Sequence, residues 1–275
     1  MVLVSPPSRR RAVMDGPRWY LTFGLRRVEG WLHPLSARFI SALAEIQRDV
    51  GYRGSIGEIG VHQGKLFILL LLTSTEPNGN FAIDIFSEEY HKSNKLGTRN
   101  KENFLRNVYY WVGGHTRVSL IERSSLSVHA EEILDMCGPV RLASIDGGHS
   151  EECTINDLFL MERVLSPQGI AIIDDCFNQE EPEVATGMAR YLGNPNSRLH
   201  PFAISPGKVY LTEPGNVEFY RGAISRRFEL LKTSRVFGHE VDIYTVRHQK
   251  LKAIAKNSII GPLLIGTKRL LFRVN

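Results

Sequence analysis

Four short segments of this chain place acids, glycines or a histidine just after an apolar run: Glu58-Ile-Gly-Val-His-Gln-Gly64, Ile83-Asp84, Ile145-Asp-Gly-Gly-His149 and Ile172-Ile-Asp-Asp175. A parallel α/β sheet collects its ligand groups beyond the carboxyl ends of its strands, so four such edges in order predict one shared site. Gly57, Gly60 and Gly64 fall where a strand turns into a helix. Glycine there lets a ligand approach the backbone, and the helix amino terminus offers N–H groups to it. The segment is not the G-x-G-x-x-G of dinucleotide folds. It is not a phosphate-binding loop either, since Gly64-Lys65 is followed by Leu66 and the earlier glycine is missing. Glu58 at this edge would repel pyrophosphate and suits a ligand with a cationic amino acid end. A tight structural turn is the alternative reading of these glycines.

Asp84 ends the second apolar run, where the acid of nucleoside-binding α/β folds accepts hydrogen bonds from ribose hydroxyls; capping the loop after 85 is its plainer role. Glycines plus an acid point to a nucleoside without phosphate. Asp146 follows the fourth run and Asp174 and Asp175 the fifth, on strands expected to lie about 5 Å apart. Carboxylates so crowded repel one another and take up protons unless a cation sits between them. A hard, oxygen-preferring divalent ion answers that need, magnesium first, because it keeps positions open for water and substrate oxygens. Without a metal, Asp174 or Asp175 would cap the loop before Asn178. His149, three residues after Asp146, is placed to face a substrate hydroxyl, and its near-neutral titration suits a general base; a helix cap or surface histidine is the alternative.

Strand and helix signals alternate along the middle of the chain. Strands are predicted near 56–60, 80–85, 116–121, 140–145 and 169–173, with helices near 64–74, 101–111, 127–136, 152–164 and 183–192. This rhythm means a parallel sheet with right-handed crossovers. Residues 201–205 and 208–212 flank Pro206-Gly207 and read as a hairpin. Before the sheet, Phe39, Ile40, Leu43, Ile46 and Val50 recur at helical spacing, so residues 1–50 form a helical cover. Residues 51–213 form the main domain, and 214–275 a basic appendage with a helix over 219–232 and a strand over 241–246.

These motifs together resemble the class I S-adenosylmethionine-dependent methyltransferases, and more narrowly the small-molecule O-methyltransferases that include the macrolide sugar enzymes and, more distantly, catechol O-methyltransferase. The resemblance spans residues 36–213 and adds Asp157-Leu158 and Leu165-Ser-Pro-Gln-Gly169 to the segments above. It implies a Rossmann-like α/β fold: a mostly parallel seven-stranded sheet with a terminal antiparallel hairpin and helices on both faces. It implies S-adenosylmethionine held by Glu58, Gly60, Val61 and Gly64, by Asp84 at the ribose, by Ser124 and Ser125 near the adenine, and by Asp146. It implies a magnesium ion on Asp146, Asp174 and Asp175, with Asp146 and His149 catalytic and His149 the base. One departure is Asp175, where the catechol enzyme has asparagine.

The acceptor implied is a hydroxyl of a sugar or polyketide-type natural product. Selection would fall to the polar insert 87–103, to 176–184 and to the region of Trp19, Tyr20 and Trp31. The insert carries His91, Lys92, Lys95, Arg99 and Lys101, as a lid over an anionic or sugar-bearing acceptor or simply as a solvated loop. The alternatives are a nicotinamide-dependent oxidoreductase or sugar epimerase, disfavoured by the missing fingerprint and the lack of a Tyr-x-x-x-Lys pair, and a noncatalytic cofactor-binding protein of the same fold.

The 275 residues, 43% hydrophobic and 23% charged, suffice for one sizeable α/β core. The net charge of +5 hides an asymmetry: +4 over residues 1–50, −8 over 51–220 and +9 over 221–275. An acidic middle disfavours nucleic acid as a partner, and association with further copies of the chain is left open. No apolar run reaches the roughly 18 residues of a spanning helix, and residues 1–11 lack the apolar stretch of a signal peptide. With Cys137, Cys153 and Cys176 widely spaced, which fits reduced thiols, the expected location is the cytoplasm.

Overall fold

The computed structural model describes residues 16–76, 79–86, 100–113 and 118–245. The basic stretch 251–272, residues 1–15 of the cover and most of the polar insert lie outside them. A short helix α1 (Gly16–Trp19) runs into a π-turn (Tyr20–Gly24), and Tyr20, fully buried, donates its hydroxyl to the Lys65 carbonyl at 2.7 Å. Helix α2 (Pro34–Asp49) starts where His33 Nδ1 accepts from the Leu35 N–H and Pro34 supplies a first-turn residue that needs no hydrogen bond. Of its predicted stripe, Phe39, Ile40, Leu43 and Ile46 are buried, whereas Val50 caps the helix end and is exposed.

The sheet is built from β1 (Ser55–Ile59), β2 (Asn80–Ile83), β3 (Val118–Ile121), β4 (Val140–Ile145), β5 (Leu165–Asp174), β6 (His200–Ser205), β7 (Lys208–Thr212), β8 (Leu230–Val236) and β9 (His239–Tyr244). The spatial order is β3-β2-β1-β4-β5-β7-β6-β9-β8. The first five strands are parallel, and β7 enters antiparallel between β5 and β6, as the Pro206-Gly207 turn requires. Helices α3 (Lys65–Thr73), α4 (Asn100–Val112), α5 (Ala130–Cys137), α6 (Glu151–Val164), α7 (Pro182–Leu192) and α8 (Val217–Ser225) cover the two faces.

The expected seven-stranded sheet is therefore corrected to nine strands among the described residues. Residues 214–245 do not stand apart: β9 pairs parallel with β6, and β8 folds back on β9. The helix expected over 219–232 ends at Ser225, where Arg226 and Arg227 follow, and Leu230–Val236 pairs as a strand instead. The β8–β9 turn has left-handed φ at both Phe237 (+48°) and Gly238 (+85°), the geometry a two-residue hairpin favours.

Alternation along each strand divides the core. Ile56, Leu142, Ile170, Ile172 and Tyr210 face α2, α3 and α8, while Ala143, Ile145, Ala171, Ile173 and Leu211 face α5, α6 and α7. Each such buried aliphatic contributes roughly 1.5–3 kcal/mol. One buried charge breaks the pattern. Arg141, in β4 and without solvent exposure, donates to Gln47 Oε1 at 2.7 Å and to the Thr73 carbonyl at 2.6 Å, and Gln47 Nε2 returns a bond to the Arg141 carbonyl at 2.8 Å. That exchange ties α2, α3 and β4 together beneath the site.

Candidate active site

The loop after β1 crosses the sheet edge in a tight turn. Gly60 donates to the Ile83 carbonyl at 2.8 Å and Asp146 N–H to the Ile59 carbonyl at 2.8 Å, which draws β4 against the loop. At Gly60, φ is +79° and a Cβ would overlap the Asp146 carbonyl oxygen. No other residue fits this position. Gly64, at φ +87°, caps α3. Asp84 holds the turn from the side: one carboxylate oxygen accepts from His62 N–H at 2.9 Å and the other from Phe86 N–H at 2.8 Å. Val61 is buried in the core beneath.

Glu58 is 2% exposed, and its Oε2 has no hydrogen-bond partner among the described residues. Burial raises its pKa well above the usual carboxylate range, with Lys208 opposing. A buried, incompletely satisfied carboxyl is costly, so a donor from a ligand would be well received here.

Beyond β4 and β5 a second group of side chains converges. His149 Nε2 lies 3.5 Å from Asp146 Oδ1 and 3.9 Å from Asp175 Oδ2, and its Nδ1 lies 3.3 Å from Glu181 Oε1. The hydrogen bond that His149 donates to Asp146 does most to push the His149 pKa up to about 9, while burial works against it. The near-neutral titration expected of this histidine is thus moved upward by its neighbours. Asp146 is itself raised, by desolvation first and by the charge of Asp174 second. Asp175 adopts left-handed φ (+55°), its N–H held by Asp174 Oδ1 and the Gly207 carbonyl at 3.0 and 3.1 Å.

Asp174 turns to a different partner. It is register-paired with Lys208 across β5 and β7, so the two side chains share a face, and the Lys208 ammonium donates to Asp174 Oδ2. The same ammonium lies 3.9 Å from Asp146 Oδ2, and Lys208 is 3% exposed. Magnesium on Asp146, Asp174 and Asp175 would need all three carboxylates turned to one centre, but the inner one is already bound to an ammonium. Among the described residues, the group whose ligand atoms approach within 4.8 Å of one another is Asp146, His149 and Asp175. The three-aspartate set does not fit as a metal site in this arrangement.

Ser124 and Ser125 stand aside from this cluster. Ser124 Oγ accepts from Leu126 N–H at 3.3 Å at the start of a 3-10 turn (Ser125–Ser127), and the Ser125 carbonyl accepts from Asn156 Nδ2 of α6 at 3.2 Å. Two residues of the site were not anticipated. Glu181 lies on the loop after Asp175, with no sequence signal to mark it. Lys208 is the lone charge in the strand Lys-Val-Tyr-Leu-Thr, an oddity visible in the sequence.

The family model described as a methyltransferase domain matches residues 58–176, the span from Glu58 to the residue after Asp175. Residues 58–176 of this chain are thus similar to a methyltransferase domain. The solved O-methyltransferase NovP is similar in fold, with a TM-score of 0.53 at 17% identity over 64% of this chain and 79% of that one. Two further structures match at lower scores. SAH-bound PaMTH1 of Podospora anserina has a TM-score of 0.49 at 13% identity over 73% of this chain and 88% of that one. The SAH complex of a Bacillus cereus O-methyltransferase has 0.46 at 14% over 73% and 90%. No curated protein sequence matches the chain. At this sheet edge, Glu58, the glycine turn and Asp84 lie on the β1 and β2 side, and His149 with its carboxylates on the β4 and β5 side. No helix among the described residues is long and apolar enough to cross a membrane.

Proposed function

We propose that this chain transfers a methyl group from S-adenosylmethionine to a hydroxyl of a small molecule of sugar or polyketide type, with His149 as the general base. The observation that carries the reading is the histidine held by Asp146, Asp175 and Glu181, with the Asp146 amide bonded to Ile59 at the glycine turn and all of this but Glu181 inside the span that the methyltransferase-domain model matches. Glu58 would meet the cationic amino acid end of the donor and Asp84 its ribose, while Asp84 also keeps the turn closed through the His62 and Phe86 amides. Ser124 and Ser125 line the adenine side through the 3-10 turn they shape.

The reaction is a direct displacement. The acceptor oxygen forms a bond to the methyl carbon as the carbon–sulfur bond breaks, the sulfonium charge is lost, and S-adenosylhomocysteine departs. The acceptor proton passes to His149. Holding oxygen and methyl in line at about 3–3.5 Å can contribute roughly 7–11 kcal/mol, so most of the rate should come from positioning. Magnesium assistance is not carried into this scheme, because Asp174 is bound to Lys208.

Raised to about 9, His149 is mostly protonated at neutral pH and accepts a proton only in the fraction that has lost its own. The rate should therefore climb with pH and level off near 9. The test is a screen of hydroxylated sugars and polyketides with labelled methyl donor, followed by a pH profile on any acceptor found. His149→Gln should lower kcat by about 10²- to 10⁴-fold while leaving donor binding in calorimetry unchanged. Tight nicotinamide binding without response to S-adenosylmethionine would remove the proposal.

A further inference from the structure

A sheet edge that gathers four carboxylates needs positive charge, and this protein supplies it from its own chain. Lys208 opens β7 immediately after Pro206-Gly207, where the left-handed Gly207 (φ +79°) sets the register of the hairpin. That register pairs Lys208 with Asp174, and alternation puts both on the face that Ile172 and Tyr210 share. The side chain is 3% exposed and runs between two strand ends, so it is fixed in place by the fold. Its ammonium donates to Asp174, lies 3.9 Å from Asp146 Oδ2, and acts electrostatically on Glu58 and Asp175 as well.

We propose that Lys208 is the resident cation of this edge: its buried ammonium takes the place between Asp146 and Asp174 that a divalent ion would otherwise hold, and the chain binds no divalent ion there. The inference rests on the proposed function only in treating this edge as the acceptor side of the methyl-transfer site. An ion bridging Asp146, Asp174 and Asp175 would have to displace the ammonium from Asp174 or sit beside it, and like charges at that distance repel strongly. Lys208 is thus a positioning residue. It holds Asp146 and Asp174 at one spacing without exchange with solvent ions, and Asp146 in turn orients His149.

Manganese alone serves as the probe, because it prefers the same oxygen ligands and its free form is read directly by electron paramagnetic resonance. The full chain, stripped with chelator and desalted, should leave Mn2+ free up to about 1 mM. Lys208→Ala should bind one Mn2+ with an affinity at least about tenfold higher than the wild type, and Lys208→Ala/Asp174→Asn should lose it again. A merely structural lysine would not produce this gain. Stoichiometric Mn2+ binding by the wild type overturns the proposal, as does a folded Lys208→Ala protein that binds none. If Lys208→Ala does not fold, Lys208→Met takes its place, and the wild-type titration still decides against the proposal by showing a bound ion. Calorimetry with S-adenosylhomocysteine runs in parallel. Its failure to bind would overturn the methyltransferase reading, whereas binding together with a tight Mn2+ site would overturn the lysine assignment alone.

Discussion

Replacing His149 with glutamine removes a cation from a ring of carboxylates, and the cost should depend on pH. The hydrogen bond to Asp146 leads the effects that raise the His149 pKa from 6.5 to about 9, with burial opposing and Glu181 assisting. A group whose folded pKa exceeds its unfolded value holds its proton more tightly in the folded state. His149 therefore contributes its full stabilisation below about pH 6.5, and the contribution disappears as pH rises through about 9. A rise of that size corresponds to about 3 kcal/mol. The side chain is 29% exposed, and solvent screening reduces the expectation to about 1–2 kcal/mol. Urea denaturation of the wild type and His149→Gln at about pH 6.5 and about pH 9.5 measures it. The difference in stability between the two proteins should shrink by about 1–2 kcal/mol across that interval. Titrating groups on which His149 does not act cancel in the comparison, which leaves His149 and the carboxylates Asp146 and Asp175 that it acts on. Equal differences at both ends would refute the claim that Asp146 and Glu181 hold a charged imidazole.

Gly60→Ala should destabilise the protein by about 2–4 kcal/mol, because the added methyl overlaps the Asp146 carbonyl where β1 meets β4; an unchanged melting temperature would contradict this. Asp84→Ala should weaken S-adenosylmethionine binding by about 1–3 kcal/mol, through lost ribose bonds and a loosened His62 turn, as read by calorimetry. Gln47→Ala leaves the Arg141 guanidinium with one neutral partner fewer in the interior and should cost about 2–4 kcal/mol in chemical denaturation; a smaller loss would mean that water enters to replace the amide.

The βαβ core was legible because its signals are local. Strand runs such as Ile170–Ile173 and helix stripes such as Phe39, Ile40 and Leu43 carry their period in the chain itself, and the observed β1–β7 elements fall where those periods put them. The β8–β9 hairpin was less legible. Leu230–Val236 alternates only weakly between half-buried and exposed positions, and an adjoining helix, Val217–Ser225, extended the helical reading into it. The π-turn at Tyr20–Gly24 and the Arg141–Gln47 exchange carry no sequence signature, since each depends on partners 45 and 94 residues away.

Residue type and order were enough to place Glu58, Gly60, Asp84, Asp146, His149, Asp174 and Asp175 at strand ends, because a parallel sheet sends every such end to one rim. Which of them touch was a matter of register. Antiparallel pairing set Lys208 against Asp174, and the path of the loop after Asp175 brought Glu181 to His149. Acids placed after two adjoining strand runs predict that these carboxylates need a cation. Only strand pairing decides that the cation is a lysine of the same chain, since side chains 34 residues apart meet through backbone hydrogen bonds that no local pattern encodes.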